Sequence, residues 1–163
     1  MKLDVSDALA NPGQEYSFSG SQAIADQEIY GDTVRLEDAA VEGVFLSDED
    51  GNITIRGQLS TIAHARCANC LEPAQARVEN DFDETFRRGG DPEDDEIFAY
   101  DGRWVPLDKL VMSYAVMALP IRFLCKEDCP GFEYRDPDAA PVEPGTQRPF
   151  AGLQQLLQKN EEV

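Results

Sequence analysis

The sequence predicts an α+β fold of mainly antiparallel β-hairpins with one central helix. Three observations predict it. Residues 33–88 alternate apolar and polar side chains with the two-residue period of half-buried strands. Residues 107–119 carry apolar side chains at helical spacing instead. Four cysteines fall in two close pairs, Cys67/Cys70 and Cys125/Cys129, placed where the strand and helix patterns end.

Taken in chain order, Lys2 to Val5 reads as a short strand. The Gly- and Ser-containing stretch through Tyr16, Phe18 and Gly20 reads as loosely structured, and no chemistry is assigned to it. Val41, Val44 and Leu46 lead into the polar turn Ser47-Asp48-Glu49-Asp50-Gly51-Asn52. Ile53, Ile55, Gly57 and Leu59 then alternate with Thr54, Arg56 and Gln58, which is a hairpin signature. The second strand runs on through Ile62, Ala63 and Ala65 to Cys67. Beyond the Cys-Ala-Asn-Cys-Leu-Glu-Pro turn, Ala74, Ala76, Val78 and Phe82 resume the alternation. A second hairpin is therefore expected, with Cys67 and Cys70 at its tip.

Residues 88–96 form a polar, glycine-containing acidic run and read as an exposed loop. A short strand, Ile97 to Tyr100, and a turn at Asp101-Gly102 follow. Leu107 to Leu119 is the expected helix, with Leu107, Leu110, Val111, Tyr114, Met117 and Ala118 on one stripe. Asp108 sits in its first turn, where a negative charge suits the helix dipole. Pro120 stops it by excluding Leu119 from helical dihedrals. This assigns residues 1–132 to a single α+β domain carrying both cysteine pairs. Pro137, Pro141, Pro144 and Pro149 mark residues 133–149 as a linker. Phe150, Leu153, Leu156 and Leu157 mark residues 150–160 as a short amphipathic helix, suited to dock on the parent domain or on a partner.

Composition narrows the function. Thirty-two Asp and Glu against fourteen Lys and Arg give a net charge of −18 over 163 residues. Such a surface repels polyanions, which argues against nonspecific nucleic-acid binding by the whole molecule. Any RNA contact would need a local basic patch or a protein intermediary. Asp4 and Asp7 fall where a signal peptide would need an apolar run, and Ala115–Leu119 is far too short to span a membrane. A cytoplasmic protein is expected. In that reducing compartment paired cysteines are metal ligands or redox groups in preference to structural disulfides.

Structural zinc takes four ligands in a tetrahedron, and thiolates suit it. Cys67-Ala68-Asn69-Cys70 is a two-residue zinc knuckle, and Cys125 to Cys129 has a looser three-residue spacing. Residues 71–124, 54 in all, separate the pairs, so they meet only if the hairpin tip lies beside the helix exit. Three other readings stay open: a redox pair, ordinary buried thiols and an iron–sulfur cluster. Pro73 and the strand rhythm after it speak against a redox centre, which needs its cysteines to open a helix. His64, three residues before Cys67, falls on the opposite strand face and is not placed among the ligands. Arg66, Arg122 and Lys126 stand next to the cysteines and would offset a zinc–tetrathiolate's charge or form a small anion-facing patch. Arg77, Arg87 and Arg88 would extend that patch only if the second hairpin faces the same way. With one histidine, and with no glycine-rich phosphate loop, no catalytic constellation emerges.

The order of these elements resembles one family. It is carried by Cys67-Ala-Asn-Cys70-Leu71-Glu72-Pro73, Phe82-Asp83-Glu84-Thr85-Phe86 and Val105-Pro-Leu107-Asp108. It continues in Ala118-Leu119-Pro120-Ile121-Arg122-Phe123-Leu124-Cys125 and Asp128-Cys129-Pro130-Gly131-Phe132. Together they resemble the YceD proteins, described as large ribosomal RNA subunit accumulation proteins, over roughly residues 35–158. The resemblance implies a non-enzymatic ribosome-biogenesis factor that supports synthesis, processing or stability of 23S rRNA. It implies Cys67, Cys70, Cys125 and Cys129 as ligands of a structural zinc. The expected partners are a large-subunit precursor, a ribosomal protein or 23S rRNA, with no membrane and no small-molecule substrate. The competing expectation is a zinc-stabilised protein-interaction adaptor unrelated to ribosomes, using residues 150–157 for docking.

Overall fold

The computed structural model describes residues 1–132 apart from residue 30 and residues 92–96. The linker expected at 133–149 and the helix expected at 150–160 lie outside the described residues. Met1–Gly131 make one compact unit.

The elements are β1 (Lys2–Asp4), α1 (Ser6–Ala10), β2 (Tyr16–Gln22), β3 (Gln27–Ile29), β4 (Asp32–Leu36) and β5 (Ala39–Ser47). They continue with β6 (Ile53–Arg66), β7 (Pro73–Arg88), β8 (Phe98–Tyr100), β9 (Trp104–Pro106) and α2 (Asp108–Met117). β6 is the spine. One of its edges pairs antiparallel with β7 from Ile53↔Phe86 to Arg66↔Pro73. Its other edge pairs with β5 from Ser47↔Ile53 to Ala40↔Ser60, and then with β4 at Leu36↔Ala63 and Arg35↔His64. β2 lies outside β5, β3 outside β4, and β8 runs parallel to the far end of β7. β1 and β9 form a separate two-stranded sheet.

The alternation read in the sequence decides which face is buried. Ile53, Ile55, Leu59 and Ala63 of β6 and Ala74, Val78, Phe82 and Phe86 of β7 point to one side and are buried. Across that face lie α1, β1–β9 and α2. Ser47 Oγ donates to Ala8 O at 2.6 Å, tying α1 down, and Leu107 N–H donates to Met1 O at 3.0 Å. Two polar positions on the inner face of β7 receive α2. Asn80 Nδ2 donates to Tyr114 O at 3.0 Å, and Tyr114 OH donates to Glu84 Oε1 at 2.6 Å. That bond is the main reason the Tyr114 hydroxyl is pushed up to about 12, with burial adding to it.

The expectation of an α+β fold with one central helix is corrected. Strands hold 51% of the described residues and helices 12%, so the fold is mainly β. Helical periodicity identified α2, but periodicity reports a buried stripe and says nothing about rank in the core. With ten residues, α2 covers only part of the β6–β7 face, meeting β7 at Asn80, Phe82 and Glu84. Its stripe also differs from the expected one. Leu107, Leu110, Val111 and Ala115 are buried, whereas Met117 is 66% exposed. The stretch read as loosely structured contains β2, whose alternating Tyr16-Ser17-Phe18-Ser19 pairs with Phe45 to Glu42. Its glycine and serines belong to an outer strand paired, among the described residues, only with β5.

A row of cross-strand neighbours, Phe18–Gly43–Gly57–Phe82, crosses four strands. A Cβ on Gly43 would lie 2.1 Å from Arg56 O, and one on Gly57 would lie 2.8 Å from the Phe82 ring. The paired glycines let the strands close over the two aromatic rings. Gly43→Ala should therefore destabilise the protein by about 1–3 kcal/mol, the usual range for overpacking, seen as a lower denaturant midpoint with an unchanged slope.

Candidate metal centre

The long β6–β7 pairing ends in a six-residue connection, and its local geometry makes a knuckle. Cys67 N–H donates to Glu72 O at 2.8 Å, and Leu71 N–H donates back to Cys67 O at 2.9 Å. Leu71 closes the turn in the left-handed region at φ +66°, the only described non-glycine residue to do so. Past Pro120, the chain runs back to this tip as an irregular loop. Ala68 N–H donates to Phe123 O at 2.8 Å, and Asn69 Nδ2 donates to Cys129 O at 3.3 Å. Phe123, at the edge of the core, anchors that loop.

These contacts bring the expected residues together. The four sulfurs of Cys67, Cys70, Cys125 and Cys129 all lie within 4.8 Å of one another. Cys67 Sγ is 3.7 Å from Cys129 Sγ, and Cys70 Sγ is 3.6 Å from Cys125 Sγ. Disulfide sulfurs sit at about 2.05 Å, and all four thiols are free. A tetrahedron of thiolates with metal–sulfur bonds of about 2.3 Å has edges of about 3.8 Å, so the spacing suits a metal ion.

The electrostatics point the same way. The backbone N–H of Cys125 hydrogen-bonds the Cys67 sulfur and, against the cost of burial, holds that thiol down at about 6; the N–H groups of Asn69 and Cys70 assist. Cys125 is pushed up to about 12, chiefly by its hydrogen bonds with the sulfurs of Cys70 and Cys129. At Cys70 the N–H of Glu72 favours the thiolate, but burial and the sulfurs of Cys129 and Cys67 outweigh it, and the net shift is upward. Four sulfurs this close cannot all ionise without a counter-charge, and a bound dication supplies one.

His64 lies off the cluster. Its Nε2 is 2.7 Å from Glu37 Oε1 on the outer face of the sheet. Arg66 is ion-paired with Asp32, whereas Arg122 and Lys126 have no ion-pair partner among the described residues. Arg87 and Arg88 end β7, fourteen and fifteen residues beyond Pro73, so at about 3.3 Å per residue they belong to the opposite end of the hairpin. Arg77 pairs with Glu79 at 2.6 Å on the outer face. None of the three extends the patch. Sequence reasoning missed Asn69 and Phe123, which join the two cysteine loops; the polar residue inside the knuckle was the available signal. It also missed a cleft of about 650 Å³ beside the centre, whose walls include Ile29, Val34, Ala65 and Ile121, with Arg66 and Arg122 at its edge.

Residues 55–157, which include both cysteine pairs, match the family described as large ribosomal RNA subunit accumulation protein YceD. The chain belongs to the YceD family. Neither a curated protein nor a solved structure matches it. Membership associates the chain with accumulation of large-subunit ribosomal RNA, and the segment matched opens within β6 and runs through the metal centre.

Leu71 gives a direct test of the knuckle. A left-handed leucine costs about 1–2 kcal/mol that glycine avoids, and its side chain is 63% exposed. Leu71→Gly should therefore raise the thermal midpoint or leave it unchanged, although it removes an apolar side chain. Leu71→Val should lower it, because a β-branched side chain fits that region poorly.

Proposed function

We propose that this YceD protein is a non-enzymatic, cytoplasmic ribosome-biogenesis factor whose cysteines hold one structural zinc. It supports the synthesis, processing or stability of 23S rRNA by contacting a large-subunit precursor or a basic ribosomal protein. The observation that carries this reading is the family match across the segment that builds the cysteine cluster. A tetrathiolate site has no open coordination position, which suits a structural ion in preference to a catalytic one.

The charge distribution favours a basic protein as the immediate partner. The net charge is −18, and Glu42, Glu79, Asp81 and Asp83 stand exposed on the outer face of β5 and β7. Two arginines on the outer sheet face are already engaged, Arg56 with Asp83 at 3.1 Å and Arg77 with Glu79. An acidic surface steers a basic protein toward itself and repels bare RNA.

Gradient sedimentation tests the ribosomal reading. The protein should travel with large-subunit precursors and shift to the top of the gradient when those particles are dissociated. Sedimentation as a free protein throughout would favour an adaptor unrelated to ribosomes. Binding of the pure protein to naked large-subunit RNA at physiological salt would overturn the preference for a protein partner. Metal analysis tests the zinc: one ion per chain is expected. In Cys67→Ser and Cys129→Ser alike, the ion and much of the thermal stability should be lost, because the ion joins two elements distant in sequence.

A further inference from the structure

The four sulfurs are unequal in access. Cys67 is buried, Cys70 and Cys129 are half-buried, and Cys125 lies exposed on the loop after α2. The sulfur of Cys70 is 3.6 Å from that of Cys125, across the junction between hairpin tip and loop. Oxidation by peroxide needs a thiolate, exposure and a nearby resolving thiol; a bound ion keeps all four sulfurs ionised, and among them Cys125 has both the exposure and the neighbour. We propose that Cys125 is an oxidative modification site, attacked by a peroxide and resolved by Cys70 as a disulfide linking the loop to the knuckle.

The chemistry balances with a peroxide as the oxidant. The Cys125 thiolate attacks one peroxide oxygen, the O–O bond breaks, and Cys125 becomes a sulfenic acid while hydroxide departs. The Cys70 thiolate then attacks the Cys125 sulfur, the S–S bond forms, and the S–O bond breaks to release a second hydroxide. Two thiolates together lose two electrons, the peroxide gains them, and both hydroxides are protonated to water. Two of the four candidate ligands are thereby consumed, and a four-coordinate ion cannot be held by the remaining pair. Cys67 and Cys129, 3.7 Å apart, remain for a second peroxide. The link between loop and knuckle, made first by the ion, passes to the disulfide, so an oxidant strips the metal without separating the two elements. Both the release and the ionised state of Cys125 rest on the metal reading above.

The test uses the full chain, loaded with zinc, and treats it with stoichiometric hydrogen peroxide. Remaining thiols are then alkylated, and the peptides are mapped without reductant while a chelating dye follows the zinc. The first linkage should be Cys70–Cys125, appearing together with zinc in solution, and dithiothreitol with added zinc should reverse both. In Cys125→Ser the fast phase of peroxide consumption should be lost. Zinc-loaded wild type treated in parallel with a sulfenic-acid trap should carry the label first on Cys125, which covers the case in which the variant fails to fold; first labelling of another cysteine would overturn the proposal. A first linkage of Cys67–Cys70, or four unmodified thiols after treatment, would overturn the proposal. A chain that takes up no zinc yet forms Cys70–Cys125 would refute the metal centre and uphold the modification site.

Discussion

The pairing of β6 with β7 supports the rest of the molecule. Along it, fourteen residue pairs from Ile53↔Phe86 to Arg66↔Pro73 satisfy the backbone of the two longest strands. Their common inner face supplies large, fully buried side chains of the core, including Phe86, Ile53, Ile55 and Leu59. Every other element is placed by reference to it. β5 and β4 take successive stretches of the free edge of β6, and α2 is received at Asn80, Phe82 and Glu84 of β7. Because one hairpin spans the sheet, its tip projects to one end, and the knuckle sits there.

That placement explains why a metal ion suits this position. The tip connection is six residues long, and the loop after α2 is irregular, so neither buries much apolar surface. Phe123 and a few backbone hydrogen bonds hold the loop to the tip. A tetrathiolate ion would add a strong, non-local link where hydrophobic contact is thin. The left-handed Leu71 belongs to the same local economy, since the turn that aims Cys67 and Cys70 at one point requires a conformation that leucine tolerates poorly.

Charge and fold divide the surface into regions with different uses. The outer sheet face is acidic, and two of its arginines, Arg56 and Arg77, are held in ion pairs. The metal end carries Arg122 and Lys126, and beside them opens the partly apolar cleft next to Ile121, a residue fully exposed to solvent. A basic protein would be drawn to the first region by long-range attraction. Short-range apolar contact is available at the second, where Ile121 stands fully exposed.

The sequence by itself determined the two hairpins, the site of α2, the membership in the YceD family and the identity of the four clustered cysteines. It could do so because strand alternation, helical spacing and cysteine spacing are local signals, each written within a few residues. The tertiary structure alone decided that the fold is mainly β. A helix of ten residues looks as prominent in sequence as a central one, and the polar outer strand β2 looks like a loop until β5 pairs with it. It also decided that Cys67 and Cys70 meet Cys125 and Cys129 across 54 intervening residues, and that Arg87 and Arg88 do not join them. Those outcomes depend on how far β6 and β7 extend before turning and on which end the loop after Pro120 returns to. Both are settled by packing among residues distant in the chain.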